Sequence, residues 1–119
     1  MARLTKKTSK IVQARFYQSV SGAEPVRDWL KEMSQADRRA IGADIATVEY
    51  GWPVGMPTCR PLGGGLWEVR TDLDGGRIAR AIFGIADNHI VLLHGFLKTT
   101  QKTPKADLEL ARKRKKELE

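Results

Sequence analysis

Three short stretches of the sequence concentrate side chains that can move protons or hold negative charge. Leu66, Glu68 and Arg70 alternate along the first, Arg77 and Arg80 frame the second, and His94, Phe96 and Lys98 alternate along the third. In an extended chain, side chains two apart share a face. Ile90, Leu92, His94, Phe96 and Lys98 are therefore expected on one face, with an imidazole, a ring and an ammonium in a row. Arg77-Ile78-Ala79-Arg80 spaces its cations three apart, so one must sit on each face. A small core cannot hide this many charges, because a buried one costs several kcal/mol unless it is paired. Some of them must line a surface.

One reaction such a set can serve is metal-free cleavage of RNA. It needs a base for the ribose 2′-hydroxyl, cations for the charge of the pentavalent phosphorane, and an acid for the leaving 5′-oxygen. Arg, Lys and His can fill those roles, and losing one preorganised donor costs about a hundred- to a thousand-fold in other enzymes. Each residue also has a purely structural reading. Arg70 can pair with Glu68, and His94 can be a satisfied core histidine.

Other chemistries find less support. Asp72, Asp74 and Asp87 fall in turn-like sequence, where Asp is expected for local hydrogen bonds, and the later Glu of a calcium loop is missing. No metal or other cofactor is expected. Gly63-Gly64-Gly65 lacks the Lys-Ser/Thr of a phosphate loop and precedes a strand, so it reads as a connection. There is no Gly-x-Ser-x-Gly elbow, and neither His89 nor His94 has an identifiable serine nucleophile. Cys59, the single cysteine, has no partner for a disulfide and reads as a small loop or core residue of a reducing compartment.

The elements that must position these residues follow from periodicity. Residues 1–10 show none and read as a basic arm. Residues 11–17 read as a strand with Val12, Ala14 and Phe16 on one face. Pro25 suits a first helical position and leads Val26, Trp29, Leu30 and Met33 at helical spacing. Ser34 with Asp37 three on resembles a capping box, and Ile41, Ile45 and Val48 continue a second helix that ends before Gly51. The breaker-rich 51–57 segment is expected to be a loop. Strands over 66–71, 77–84 and 89–95 are separated by turn chemistry at 72–76 and 86–88, which predicts an antiparallel meander. Thr103-Pro104 reads as the N-cap and first-turn pair of a last helix, acidic at its start and basic at its end.

With 119 residues, 41% hydrophobic and 29% charged, the chain has the size and composition of one folded domain. We expect residues 11–119 to form it. Residues 1–20 carry five cations and no acids, and residues 96–119 carry eight against four, of a net charge of +7. That distribution suits a polyanionic partner such as RNA or an acidic peptide. No run is long enough for a membrane span and the N-terminus lacks the apolar stretch of a signal peptide, so the expected location is cytoplasmic.

The assembled pattern resembles the phage-derived, HigB-like branch of the RelE/ParE toxin superfamily. Three stretches carry the resemblance. Pro61-Leu62-Gly63-Gly64-Gly65-Leu66-Trp67-Glu68-Val69-Arg70 is similar to the family's leucine-glycine loop and aromatic-Glu-apolar-Arg strand. Arg77-Ile78-Ala79-Arg80-Ala81-Ile82-Phe83 is like its central strand. The most specific runs from Leu92 through Pro104 and contains Phe96-Leu97-Lys98. The resemblance covers about residues 11–119 and implies an α+β, RelE-like fold. Its sheet would be small and mostly antiparallel, about four strands, with two N-terminal helices and a C-terminal helix in the order β-α-α-β-β-β-α.

It also implies a type II toxin that enters the ribosomal A site and cuts mRNA with basic residues and no metal, inhibiting translation. A cognate antitoxin, often of helix-turn-helix type, would neutralise it. Carried over by position, Arg70 would stabilise the phosphorane and Lys98 would transfer protons or stabilise charge. Arg80 and His94 are further catalytic candidates, and Arg60, Arg77 and Lys102 are candidates for RNA contact. Many relatives have Lys-Lys where this chain has Lys98-Thr99, which removes one cation. The superfamily also contains ParE-like inhibitors of DNA gyrase, and fold cannot separate the two activities. A non-catalytic nucleic-acid-binding module on the same scaffold is the third reading.

Overall fold

In the computed structural model, residues 9–98 and 103–118 are described. The chain runs β1 (Gln13–Phe16), α1 (Pro25–Lys31), α2 (Gln35–Gly51), β2 (Cys59–Gly63), β3 (Leu66–Asp72), β4 (Ile78–Ala86), β5 (His89–Lys98) and α3 (Lys105–Lys116), with a 3-10 turn at Asp74–Gly76. The five strands form one mixed sheet in the order β1-β5-β4-β3-β2. β1 runs parallel to β5, and the remaining neighbours are antiparallel. This is the expected α+β class, with one strand more than the four foreseen. The added strand is β2. Its Pro61 and Gly63 read as breakers, but β2 lies at the sheet edge, where a proline's missing donor removes no ladder bond.

Local signals account for the helices. Pro25 opens α1, whose Val26 is buried. The Ser34 hydroxyl accepts from the Asp37 amide at 3.1 Å, capping α2, and Ile41, Ile45, Val48 and Glu49 form its buried face. The turn between β4 and β5 is made by Asp87 and Asn88, both at positive φ, which is the twist a two-residue hairpin demands. Of the basic arm expected over residues 1–10, residues 1–8 lie outside the described residues. Lys10 pairs with the buried Glu49 at 3.0 Å, and the second Glu49 oxygen accepts from the Ala14 amide at 2.7 Å. The end of α2 is thereby tied to β1.

The sheet carries a core on each face. On one, Val26, Ile41, Ile45 and Val48 of α1 and α2 meet Val69, Ala79, Ala81, Phe83, Ile90 and Leu92. On the other, Ala111 of α3 packs with Leu66, Ile82, Val91, Leu93 and Phe96. β4 is central, and its first seven residues are buried. No helix among the described residues is long and apolar enough to cross a membrane.

β5 departs from the expected parity. Ile82 pairs with His94 but Phe83 pairs with Leu92, so Leu93 is an extra residue, a β-bulge. Ile90 and Leu92 face α1 and α2, whereas Leu93 and Phe96 join the core under α3, and His94 bonds to Asp107 of α3. The expected row on a single face is therefore corrected: Ile90 and Leu92 lie on one face and His94 and Phe96 on the other.

Candidate active site

Cross-strand register assembles the site on the sheet face that α3 partly covers. Arg60 of β2 pairs with Glu68, Glu68 with Ile82, and Ile82 with His94. In the next row, Arg70 pairs with Arg80 and Arg80 with Phe96; beyond it lie Asp72, Ile78 and the backbone of Lys98. Neighbouring strands stand about 4.8 Å apart, so Arg60 and His94 span roughly 14 Å across three intervals. Three guanidiniums, the carboxylates of Glu68 and, at the edge, Asp72, and an imidazole thus share one face.

Arg60, Glu68, Arg70 and Arg80 line a cavity of about 70 Å³, closed by Met56 and Pro57 from the loop after α2. Arg70 also lines an adjoining open pocket of about 450 Å³ with Asp44, Pro57, Thr58 and Asp72. Arg80 is 1% exposed and Glu68 2%, and Arg80 Nη1 lies 3.4 Å from Glu68 Oε1. Burial pushes the Arg80 guanidinium below its ordinary pKa, Glu68 opposes that, and the nearby Arg60 and Arg70 add to the lowering. An arginine stays charged through such a shift, so the cavity floor is cationic.

Arg70 is half-buried, with Nε 3.8 Å from Asp72 Oδ1 and its backbone amide donating to Thr58 O. His94 Nε2 lies 2.6 Å from Asp107 Oδ1, and its ring stacks on Phe96 with centroids 5.6 Å apart. That contact orients the imidazole against α3. Arg77 sits apart: it holds Asp37 through both terminal nitrogens at 2.7 and 3.1 Å and donates Nε to Asp74 O, fastening the 3-10 turn to the start of α2. Lys98 closes β5 opposite Ile78, and its side chain lies outside the described residues, as does Lys102.

The structure therefore brings Arg60, Arg70, Arg80 and His94 to one face and leaves Arg77 at the edge of α2. Sequence reasoning missed Thr103, whose hydroxyl donates to Glu68 Oε2 at 2.6 Å and receives Arg60 Nη2 at 3.4 Å. Thr103 was expected to cap α3, but the N-cap residue is Pro104, with no side-chain bond. Asp107 was also missed. It lies in the acidic first turn of α3, and nothing local in sequence connects it to His94, 13 positions away. Cys59 is buried, and burial first, then Glu68, pushes its thiol up to about 11, which fits a core residue.

Among the described residues, no group of three or more His, Cys, Asp or Glu side chains could hold a metal ion. A second cavity of about 500 Å³, between β1 and the end of α3, has one cation, Arg15, and one carboxylate, Glu24, in its lining. The arrangement around Arg70 and Arg80 has the denser positive charge. It can hold an anion and strengthen that hold as negative charge develops. No curated protein matches the chain. The profile of the phage-derived protein Gp49-like family (DUF891) matches residues 28–116, from within α1 to the end of α3, and the chain belongs to that family, a RelE/HigB-like toxin family of type II toxin–antitoxin systems.

Proposed function

We propose that this toxin is a HigB-type, ribosome-dependent endoribonuclease that cuts mRNA without a metal and so stops translation. The observation that carries the reading is the direct cross-strand pairing of Arg70 with Arg80, with Arg60 one row away, around a cavity that contains a single carboxylate, Glu68. A scissile phosphate placed there would meet two or three guanidiniums. The 2′-oxygen attacks phosphorus, the 5′-oxygen leaves with a proton, and the products are a 2′,3′-cyclic phosphate and a 5′-hydroxyl. Arg70 stabilises the extra charge of the phosphorane. With an effective dielectric of about 20, one cation at about 4 Å is worth roughly 4 kcal/mol per unit charge, enough for about a thousand-fold in rate.

In this reading Lys98 transfers a proton or stabilises charge, and His94, held by Asp107, is the second acid–base candidate. Arg60 and Lys102 contact RNA phosphates, while Arg77, committed to Asp37 and Asp74, holds the start of α2. Membership in the family implies an antitoxin partner. We assign it to the helix-turn-helix type, acting in the cytoplasm by covering the cationic cavity.

The test is primer extension on a reporter mRNA in a translating extract, comparing wild type with Arg70→Ala and Lys98→Ala. Cuts that require ribosomes and disappear in either variant support the nuclease. Uncut RNA with folded wild-type protein overturns it in favour of gyrase inhibition or simple binding. Cuts that survive both substitutions remove the assigned catalytic residues.

A further inference from the structure

Glu68 is a carboxylate almost fully withdrawn from water, and each of its oxygens has a different partner. Oε1 faces Arg80 Nη1 at 3.4 Å, and Oε2 accepts the Thr103 hydroxyl proton at 2.6 Å. The same hydroxyl oxygen receives Arg60 Nη2 at 3.4 Å. Thr103 therefore donates to the carboxylate and accepts from a guanidinium, linking Arg60 to Glu68 and, through that carboxylate, to Arg80. Its own helix leaves it available, because Pro104 occupies the cap position. The bond joins residues 35 apart in sequence, so it pins the entry of α3 to the floor of the arginine cavity.

A buried carboxylate left with one oxygen unsatisfied is costly, and it relieves that cost by turning toward another donor. Here any such turn carries the Arg80 pairing with it. We propose that Thr103 and Glu68 are positioning residues of this site: the hydroxyl fixes the plane of the Glu68 carboxylate, and the carboxylate in turn fixes Arg80 and, through Thr103, Arg60. The proposal rests on the cavity being the place where the scissile phosphate is held.

The experiment is cleavage of mRNA on purified, programmed ribosomes, with rate measured against ribosome concentration for wild type, Thr103→Val, Thr103→Ser and Glu68→Gln. Misplacing a catalytic group by about 1 Å can cost about a hundred-fold, so Thr103→Val is expected to lower the saturating rate by about 10- to 100-fold. The half-saturating concentration should move by less than about 3-fold, because the defect lies in placing charge against the transition state. Thr103→Ser keeps the hydroxyl and is expected to stay within about 3-fold of wild type. In a Glu68→Gln background, Thr103→Val should cost less than about 3-fold more, since the two act as one unit.

Full rate in Thr103→Val, or a serine variant as slow as the valine one, overturns the proposal. If Thr103→Val does not fold, Glu68→Gln decides: it keeps the shape and an acceptor oxygen, and full saturating rate in that variant overturns the proposal. Wild type that cuts nothing refutes the nuclease reading itself, whereas cutting wild type with an equally fast Thr103→Val refutes only the positioning role.

Discussion

Gly95→Ala tests whether the strand that carries His94 and Phe96 is packed as described. A Cβ built on Gly95 would lie 2.4 Å from Trp29 Cε3, 2.5 Å from Cζ3 and 2.8 Å from Cδ2. Carbon atoms in contact normally stand about 3.5–4.0 Å apart, so the methyl overlaps the indole by roughly 1 Å across several atoms. Trp29 packs against the core formed with α2, so its ring cannot withdraw without opening space behind it. Overpacking of this kind costs about 1–3 kcal/mol, and roughly 2 kcal/mol is expected here. For a chain of this length that is a fall in Tm of about 8 °C.

The assay is urea unfolding followed by tryptophan fluorescence, with Gly42→Ala as the internal control. Gly42 lies within α2 with nothing within 4 Å of an added Cβ, so alanine there should stabilise by about 0.5–1 kcal/mol. The two substitutions are the same change and should move the midpoint in opposite directions. A Gly95→Ala variant within about 0.5 kcal/mol of wild type would refute the close approach of Trp29 to β5.

Two further outcomes follow from charge and burial. The Arg77 guanidinium holds the Asp37 carboxyl below its ordinary value of 3.8, so the stability this pair contributes is complete above that pH and lost as pH falls through the lowered value. Asp37→Asn should therefore be less stable than wild type near neutral pH, with the difference vanishing on acidification; urea midpoints that differ equally at every pH would contradict this. The Cys59 thiol, pushed up to about 11 by burial, should react with iodoacetamide at about pH 8 at least about a hundred-fold more slowly in the native protein than in urea. Comparable rates in the two states would mean that Cys59 is not packed in the core with Ile41, Ile45 and Val48.

Where local chemistry decides structure, the sequence was informative. Pro25, the Ser34 cap, the Ile41-Ile45-Val48 spacing and the Asp87-Asn88 turn act within a few residues, and each lies in the predicted element. β2 was not legible because its residues are ordinary loop formers that become a strand only when β3 offers an edge. The pairing of Arg70 with Arg80 was implicit in the meander. The partners of their neighbours were not, since Thr103 reaches Glu68 and Asp107 reaches His94 only after α3 has docked on the sheet. Hydrophobic period reports which face a residue takes, and it carries no information on which side chain lies opposite.

The bulge at Leu93 shows how one unreadable residue decides the site. Ile90 and Leu92 belong in the core beneath α1 and α2. With unbroken alternation, His94, Phe96 and the position of Lys98 would follow them onto that face, toward Trp29, and away from Arg70 and Arg80. The extra residue reverses the alternation, so the first half of β5 serves one core while the second half turns His94 and Phe96 toward α3. That reversal brings position 95 onto the Trp29 side, where a side chain of any size would collide. Gly95 and the bulge are thus two parts of one arrangement. The insertion delivers the ring and imidazole to the arginine face, and the glycine lets α1 press against the strand from behind to hold them there.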